Sequence, residues 1–243
     1  MKRIAICYYG MTRSLHKVYQ SHHDKIFNKL QENNIEYTVF MHTWHTKINN
    51  EWNRILETPI DYNAYQLLSP DKYKIDNEDD FLDSLVFSDY FDENLYNLFG
   101  GNTFEWHPYM IRNHLCALES TKRVTQMVLD SVTETGTETF DYVLYLRPDV
   151  EIQTDFLVEY LDNMKPNEIS FINRNFYEGY SDTFALVCSL EHAVVYGMRI
   201  DEIKEFRKTQ GRITGEKYSK YIADKYFDKK HFIDFGFDIV RIQ

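Results

Sequence analysis

Cysteine is scarce in this chain, with three residues at Cys7, Cys116 and Cys188. Their number is odd and none belongs to a C-x-x-C pair, which excludes a disulfide framework and a thiolate zinc site as organising devices. They read instead as buried free thiols of a reducing compartment. Glycine (9) and proline (5) are also few, and no tract of either marks a linker, an internal repeat or a low-complexity segment. Long apolar runs are missing as well. The N-terminal run Ile4-Ala5-Ile6-Cys7-Tyr8-Tyr9 is too short for a signal peptide or a membrane span, so a cytosolic location is expected. Neither G-x-G-x-x-G nor G-x-x-x-x-G-K-[ST] occurs, which lowers the case for a dinucleotide site or a P-loop. Positive charge is short too: 27 Lys+Arg stand against 38 Asp+Glu, a formal net charge of −11. Duplex binding draws its affinity from basic side chains, so nucleic acid is excluded as the expected partner. A single nucleotide is not, because one arginine or one metal ion can balance its phosphates.

What is present suits a globular chain: 43% hydrophobic and 27% charged residues over a length of 243. At that length folding hides roughly 70–75% of the unfolded surface. The 19 Tyr and 17 Phe are conspicuous. Tyrosine combines a stacking face with a hydroxyl, which suits sugar and base recognition, although biased nucleotide composition also enriches Tyr, Asn, Lys and Ile.

Residues 4–8 form an apolar run ended by Gly10, which predicts a buried strand. Residues 16–31 carry Val18, Ile26, Phe27 and Leu30 among polar residues, an amphipathic helix stopped by Asn33-Asn34. Residues 36–41 predict a second strand, and the resulting βαβ unit favours a parallel sheet. Residues 52–97 read as loops and short helices with a solvated acidic run at 76–80. A long helix is expected over 108–129 and a polar turn over 133–139. Residues 140–146 predict a central strand, broken at Arg147-Pro148-Asp149 because proline cannot continue a central ladder. A short helix at 156–164, strands at 169–173 and 184–188, helices at 191–203 and 216–227, and an extended segment at 232–242 complete the pattern. The expected fold is α/β, with a mostly parallel central sheet flanked by helices, in one domain over 1–243.

In such sheets ligands bind at the carboxyl ends of strands. Three strand ends carry candidate groups: Tyr8, Tyr9, Gly10 and Arg13 after the first, His42-Thr43-Trp44-His45 after the second, and Arg147, Asp149 and Glu151 after the central strand. Arg13 can clamp a diphosphate through its planar fork. Two histidines three residues apart invite a zinc reading, but no third ligand lies nearby, and a structural role for Trp44 with one hydrogen-bonded histidine competes with it. Asp149 and Glu151, alternate residues of an extended segment, point the same way and can share one Mg²⁺ or Mn²⁺. Glu216 opens a helix and reads as a favourable first-turn charge.

On these residues the sequence resembles a known family. Tyr142-Val-Leu-Tyr-Leu-Arg147-Pro148-Asp149 is similar to the strand-then-R-P-D variant of the D-x-D motif in GT-A type nucleotide-sugar glycosyltransferases, as found in large DNA viruses and bacteria. The opening through Gly10 and Arg13 resembles their first strand and nucleotide loop. Phe40-Met41-His42-Thr43-Trp44 resembles their second strand end, and Ser181-Asp182-Thr183-Phe184-Ala185 their D-x-F-A segment. The resemblance implies a GT-A-like, Rossmann-like fold with a nucleotide part over about 1–150 and an acceptor part over about 151–243. It implies a nucleotide-sugar donor, a glycan or other hydroxyl acceptor, a divalent metal and, for a viral chain, the host cytoplasm. Tyr8, Tyr9, Gly10, Arg13, His42 and Arg147 then contact the donor, Asp149 and Glu151 hold Mn²⁺ or Mg²⁺, and Asp182 or Glu178 faces the acceptor. A non-catalytic relative that binds nucleotide or glycan is the alternative. A strict D-x-D places an acid where this chain has Arg147, so either Asp149 with Glu151 holds the metal or Arg147 partly replaces it on the phosphate. The reading requires the strand ending near 149 to deliver a fixed carboxylate into a cleft that also receives the glycine turn, and it falls if those loops lie on opposite faces or if that aspartate is buried against a neighbouring arginine with no open space beside it.

Overall fold

The strand β1 (Arg3–Tyr9) is buried from Ile4 to Tyr9. Successive side chains of a strand face opposite ways, so Ile4, Ile6 and Tyr8 enter one core and Ala5, Cys7 and Tyr9 another. A strand buried on both faces belongs inside a sheet with helices on either side. That is the arrangement of this computed structural model, which describes residues 1–46, 60–98, 106–136, 139–173 and 179–240.

The remaining strands are β2 (Glu36–His45), β3 (Lys72–Asn77), β4 (Tyr142–Leu146), β5 (Val150–Ile152), β6 (Glu168–Ile172), β7 (Phe184–Cys188), β8 (Lys229–Ile233) and β9 (Phe237–Ile239). Seven of them form one sheet in the order β3-β2-β1-β4-β7-β6-β8, and β5 pairs with β9 in a separate ribbon. The run β3-β2-β1-β4 is parallel throughout. β7 is reversed against both β4 and β6, whereas β6 and β8 pair in parallel. The mostly parallel α/β sheet expected from sequence is therefore present, with one inverted strand beside its centre.

Helices α1 (Leu15–His22) and α2 (Asn28–Glu32) are joined by a π-helical turn (His23–Phe27), so the predicted helix is continuous but locally widened. Along with α6 (Glu159–Asp162) and the β5/β9 ribbon, they cover the Ile4/Ile6/Tyr8 face. The other face is covered by α5 (Pro108–Thr135), α7 (Leu190–Gly197), α8 (Ile203–Gln210) and α9 (Gly215–Tyr226). Proline begins α5, where its missing N–H is harmless, and Gly136 ends it at φ +57°. The helix thus runs beyond residue 129, and the expected polar turn is, over 133–136, its last turn and cap; residues 137–138 lie outside the described residues. Short helices α3 (Glu78–Asp83) and α4 (Glu93–Leu98) lie in the region read as loops and short helices, which also contains the edge strand β3. No helix among the described residues is long and apolar enough to cross a membrane.

Candidate functional site

The chain leaves β1 to build β2 and β3 on one side, then returns to place β4 on the other. The loops after β1 and β4 diverge across that switch point and leave a crevice at the strands' carboxyl ends, where open α/β sheets bind ligands. A cleft of about 310 Å³ lies there, lined among others by Tyr9, Gly10, Arg13, Trp44, Trp106, Tyr109, Asn113, His114, Arg147, Asp182 and Glu216. Because β7 runs backwards, its leading end reaches the same edge as the trailing ends of β1 and β4, which brings Asp182 and Thr183 into the cleft.

Gly10 turns the chain at φ +95°, a region where a side chain would be strained, and its N–H donates to Ser120 Oγ of α5 at 2.8 Å. This turn aims Arg13 at the loop after β4. There Asp149 is only 1% exposed, and its carboxylate accepts Arg147 Nε at Oδ1 (2.8 Å) and Arg147 Nη2 at Oδ2 (2.6 Å). Arg13 Nη2 meets the same Oδ2 at 2.6 Å. Two guanidinium groups therefore converge on one buried oxygen, while Arg13 and Arg147 remain 18% and 25% exposed and line the cleft. Burial works against the charge on Asp149, but Arg147 and Arg13 outweigh it and hold its carboxyl well below the usual carboxylate range.

Arg13 joins the two strand-end loops beside one cleft, but Asp149 is buried against Arg147 and Arg13 and does not line it, so the carboxylate that the sequence reading required there is not delivered. This corrects the expected metal pair. Asp149 lies in the turn before β5, and Glu151, inside β5, is exposed opposite Asp238 and does not line the cleft. A divalent ion needs carboxylate oxygens open to the ligand space, yet Asp149 is 1% exposed, already accepts three guanidinium N–H groups and does not line the cleft. Among the described residues no cluster of three His, Cys, Asp or Glu side chains is placed to hold an ion. Asp149 and Glu151 do not fit Mn²⁺ or Mg²⁺.

Two further expectations need correction. Tyr8 faces the opposite core from Tyr9, and its hydroxyl bonds His22 Nδ1 at 2.9 Å; strand alternation keeps it from the cleft. His42 is fully buried on β2 opposite Tyr9, with Nδ1 2.7 Å from Ser120 Oγ and Nε2 3.2 Å from Asp76 Oδ2. It supports the glycine turn through Ser120 and touches no open space. Glu178 lies outside the described residues. Tyr9, Gly10, Arg13, Arg147 and Asp182 are brought together.

Asp182 is 30% exposed. Tyr9 donates its hydroxyl to the Asp182 carbonyl at 2.6 Å, and His114 Nδ1 stands 3.6 Å from Asp182 Oδ2. A Cβ on Gly215, at the start of α9, would lie 2.3 Å from the same oxygen, so glycine there makes room for the carboxylate. Burial opposes ionisation of Asp182, but His114, Arg147 and Arg199 outweigh it and keep the carboxyl below its ordinary value. His114 itself is buried in the cleft wall, and neither ring nitrogen makes a hydrogen bond. The sequence reading did not single it out. Glu216, read as a first-turn charge, holds that position on α9 and also lines the cleft.

The two supporting histidines have a measurable consequence. Val150 O can only accept, so His22 carries its proton on Nε2 (2.8 Å) and accepts Tyr8's hydroxyl at Nδ1. Burial lowers both His22 and His42 to about 4. Their folded values lie below the unfolded value near 6.5, so the unfolded chain binds more protons between pH 6.5 and 4. Stability is fully present above pH 6.5 and falls as pH drops through that window, by on the order of 3 kcal/mol per histidine. Urea midpoints measured from pH 7 to 4 should fall accordingly; a flat profile would contradict the neutral assignment.

No protein-family model matches the sequence, and no curated protein matches it. Among solved structures, the chain is similar to the glycosyltransferase GlyE of Streptococcus pneumoniae TIGR4, at 10% identity and a TM-score of 0.43. The match covers 96% of this chain and 45% of that one. At that level of similarity the functional reading rests on the cleft's own residues.

Proposed function

We propose that the cleft binds a nucleotide-sugar and transfers the sugar to an acceptor hydroxyl, as a glycosyltransferase of the GT-A type. The burial of Asp149 removes the ground on which the sequence reading stood; what supports the proposal instead is the meeting, at one switch-point cleft, of a fixed arginine pair and a separate, partly exposed carboxylate, Asp182. The arginine side suits the donor's diphosphate, because planar guanidinium forks match phosphate oxygens. Tyr109 and Trp106 offer ring faces to a base or sugar. Asp182, ionised at neutral pH, takes the acceptor's proton as its oxygen attacks the anomeric carbon. The bond from that carbon to the diphosphate breaks, and the nucleoside diphosphate leaves toward Arg13 and Arg147 with the configuration inverted. His114 stands beside Asp182 and helps fix the ionised carboxylate.

Thermal unfolding in a panel of nucleoside diphosphates, with donor hydrolysis followed in parallel, tests this. A matching nucleotide at about one hundred times its Kd should raise Tm by roughly 5–10 °C, and its sugar conjugate should be turned over. No shift and no hydrolysis across all common bases would end the transferase reading. The sequestration of Asp149 supports a second reading, a relative that binds the same ligands without transfer. Binding with no turnover across a broad acceptor set selects it.

A further inference from the structure

We infer that the Arg13–Asp149–Arg147 clamp holds a diphosphate directly, with no divalent cation between phosphate and protein. The inference takes its ligand from the transferase reading, but the argument is one of charge and geometry. Two guanidinium groups meet Asp149 Oδ2 at 2.6 Å each, so the carboxylate places them side by side. Their combined charge with Asp149 is one net positive unit, fixed at the mouth of the cleft. Arg147 has five N–H donors and gives two of them, one on Nε and one on Nη2, to Asp149. The N–H groups of Nη1 remain for an oxygen anion in the cleft that Arg147 lines.

A cation bridging Asp149 to a phosphate would have to reach a carboxylate that is 1% exposed and then stand against both arginines. The arginines already supply what a metal supplies elsewhere, namely neutralisation of charge that builds up on a leaving diphosphate. Because they are bonded to a buried carboxylate, they need little reorganisation when the ligand arrives. Asp182 and Glu216 line the same cleft, so the phosphates belong on the Arg13–Arg147 side and the uncharged sugar on theirs.

Calorimetry with the intact chain tests the inference, using pyrophosphate and UDP, GDP, CDP and ADP as probes. Each is titrated in excess EDTA and again in Mn²⁺ or Mg²⁺. The expected result is that at least one nucleoside diphosphate, and pyrophosphate more weakly, binds in EDTA within about threefold of its affinity with metal. Arg147→Lys and Arg13→Lys keep the charge but lose the fork, and each should weaken binding in EDTA by about tenfold or more. Binding of pyrophosphate alone in EDTA, sensitive to both substitutions, would uphold the clamp while removing the nucleotide-sugar reading. Binding that appears only with added cation would overturn the clamp and leave the transferase reading standing. Silence of every probe with and without cation would overturn both.

Discussion

Asp182→Asn is expected to lower turnover by about 10²–10⁴-fold while leaving nucleoside diphosphate affinity within a few fold. The amide keeps the size of the side chain and removes only its capacity to take a proton. The hydrogen bonds of the clamp do not involve Asp182, so binding and chemistry should separate. Gly215→Ala offers an independent route to the same defect. Its methyl would lie 2.3 Å from Asp182 Oδ2 and 3.1 Å from Asp182 Cβ, so the carboxylate must swing away without a change in charge. Single-turnover rates for both variants, beside calorimetric Kd values, provide the check. Turnover within tenfold of the parent in Asp182→Asn would remove Asp182 as the base.

The second large effect concerns stability. Asp149→Ala should destabilise the fold by about 3–5 kcal/mol, the range for removing one partner of a buried, hydrogen-bonded ion pair. Two like-charged groups would face each other with nothing between them. A variant aimed at catalysis alone would leave the fold intact, so denaturant midpoints distinguish the two roles of this residue. The sign of the pH dependence follows from the depressed folded value of Asp149. Its contribution is fully present above the unfolded carboxyl value near 3.9 and is lost only as pH falls beneath that value toward the folded one. The gap between parent and variant should therefore hold from pH 7 to about 4 and narrow below. A midpoint change of less than about 1 kcal/mol at neutral pH would show that the three charges are not coupled as described.

Most of the sheet could be read from local pattern. β1 from Ile4 and β4 are continuous apolar runs because they are buried on both faces, and β2 is marked by its β-rich Val39-Phe40-Met41 segment. β3 was not legible: its Lys72-Tyr-Lys-Ile-Asp-Asn77 is an edge strand whose outer side chains are charged, so it looks like a loop. The helix expected over 191–203 is α7 followed by a 3₁₀ turn at Arg199–Glu202, and α8 beyond it was missed because Ile203 and Phe206 are its only buried residues among charged ones. In the site, Gly10 and the break at Pro148 were visible as punctuation. The fate of Asp149 was not, because it depends on Arg13, a residue far away in sequence that only the fold brings alongside. His114 was hidden for another reason. It sits three residues after Ile111 and four before Leu118, on the apolar face of α5, where spacing marks it as core. A polar residue at a core position was the signal that could have found it.

The pairing of β1 with β4 has a consequence for synthesis. Ile4 lies opposite Tyr142, so one flank of the central strand has no neighbour until the ribosome has passed the middle of the chain. β2 ends at His45 and β4 begins at Tyr142. At about 5–20 residues per second, that interval lasts on the order of 5–20 s. During it the nascent polypeptide carries an open apolar edge, the kind of surface that chaperones cover and that sticks to other unfinished chains. Co-expression of a chaperone that covers nascent chains should therefore raise the soluble yield more than any change to the finished surface.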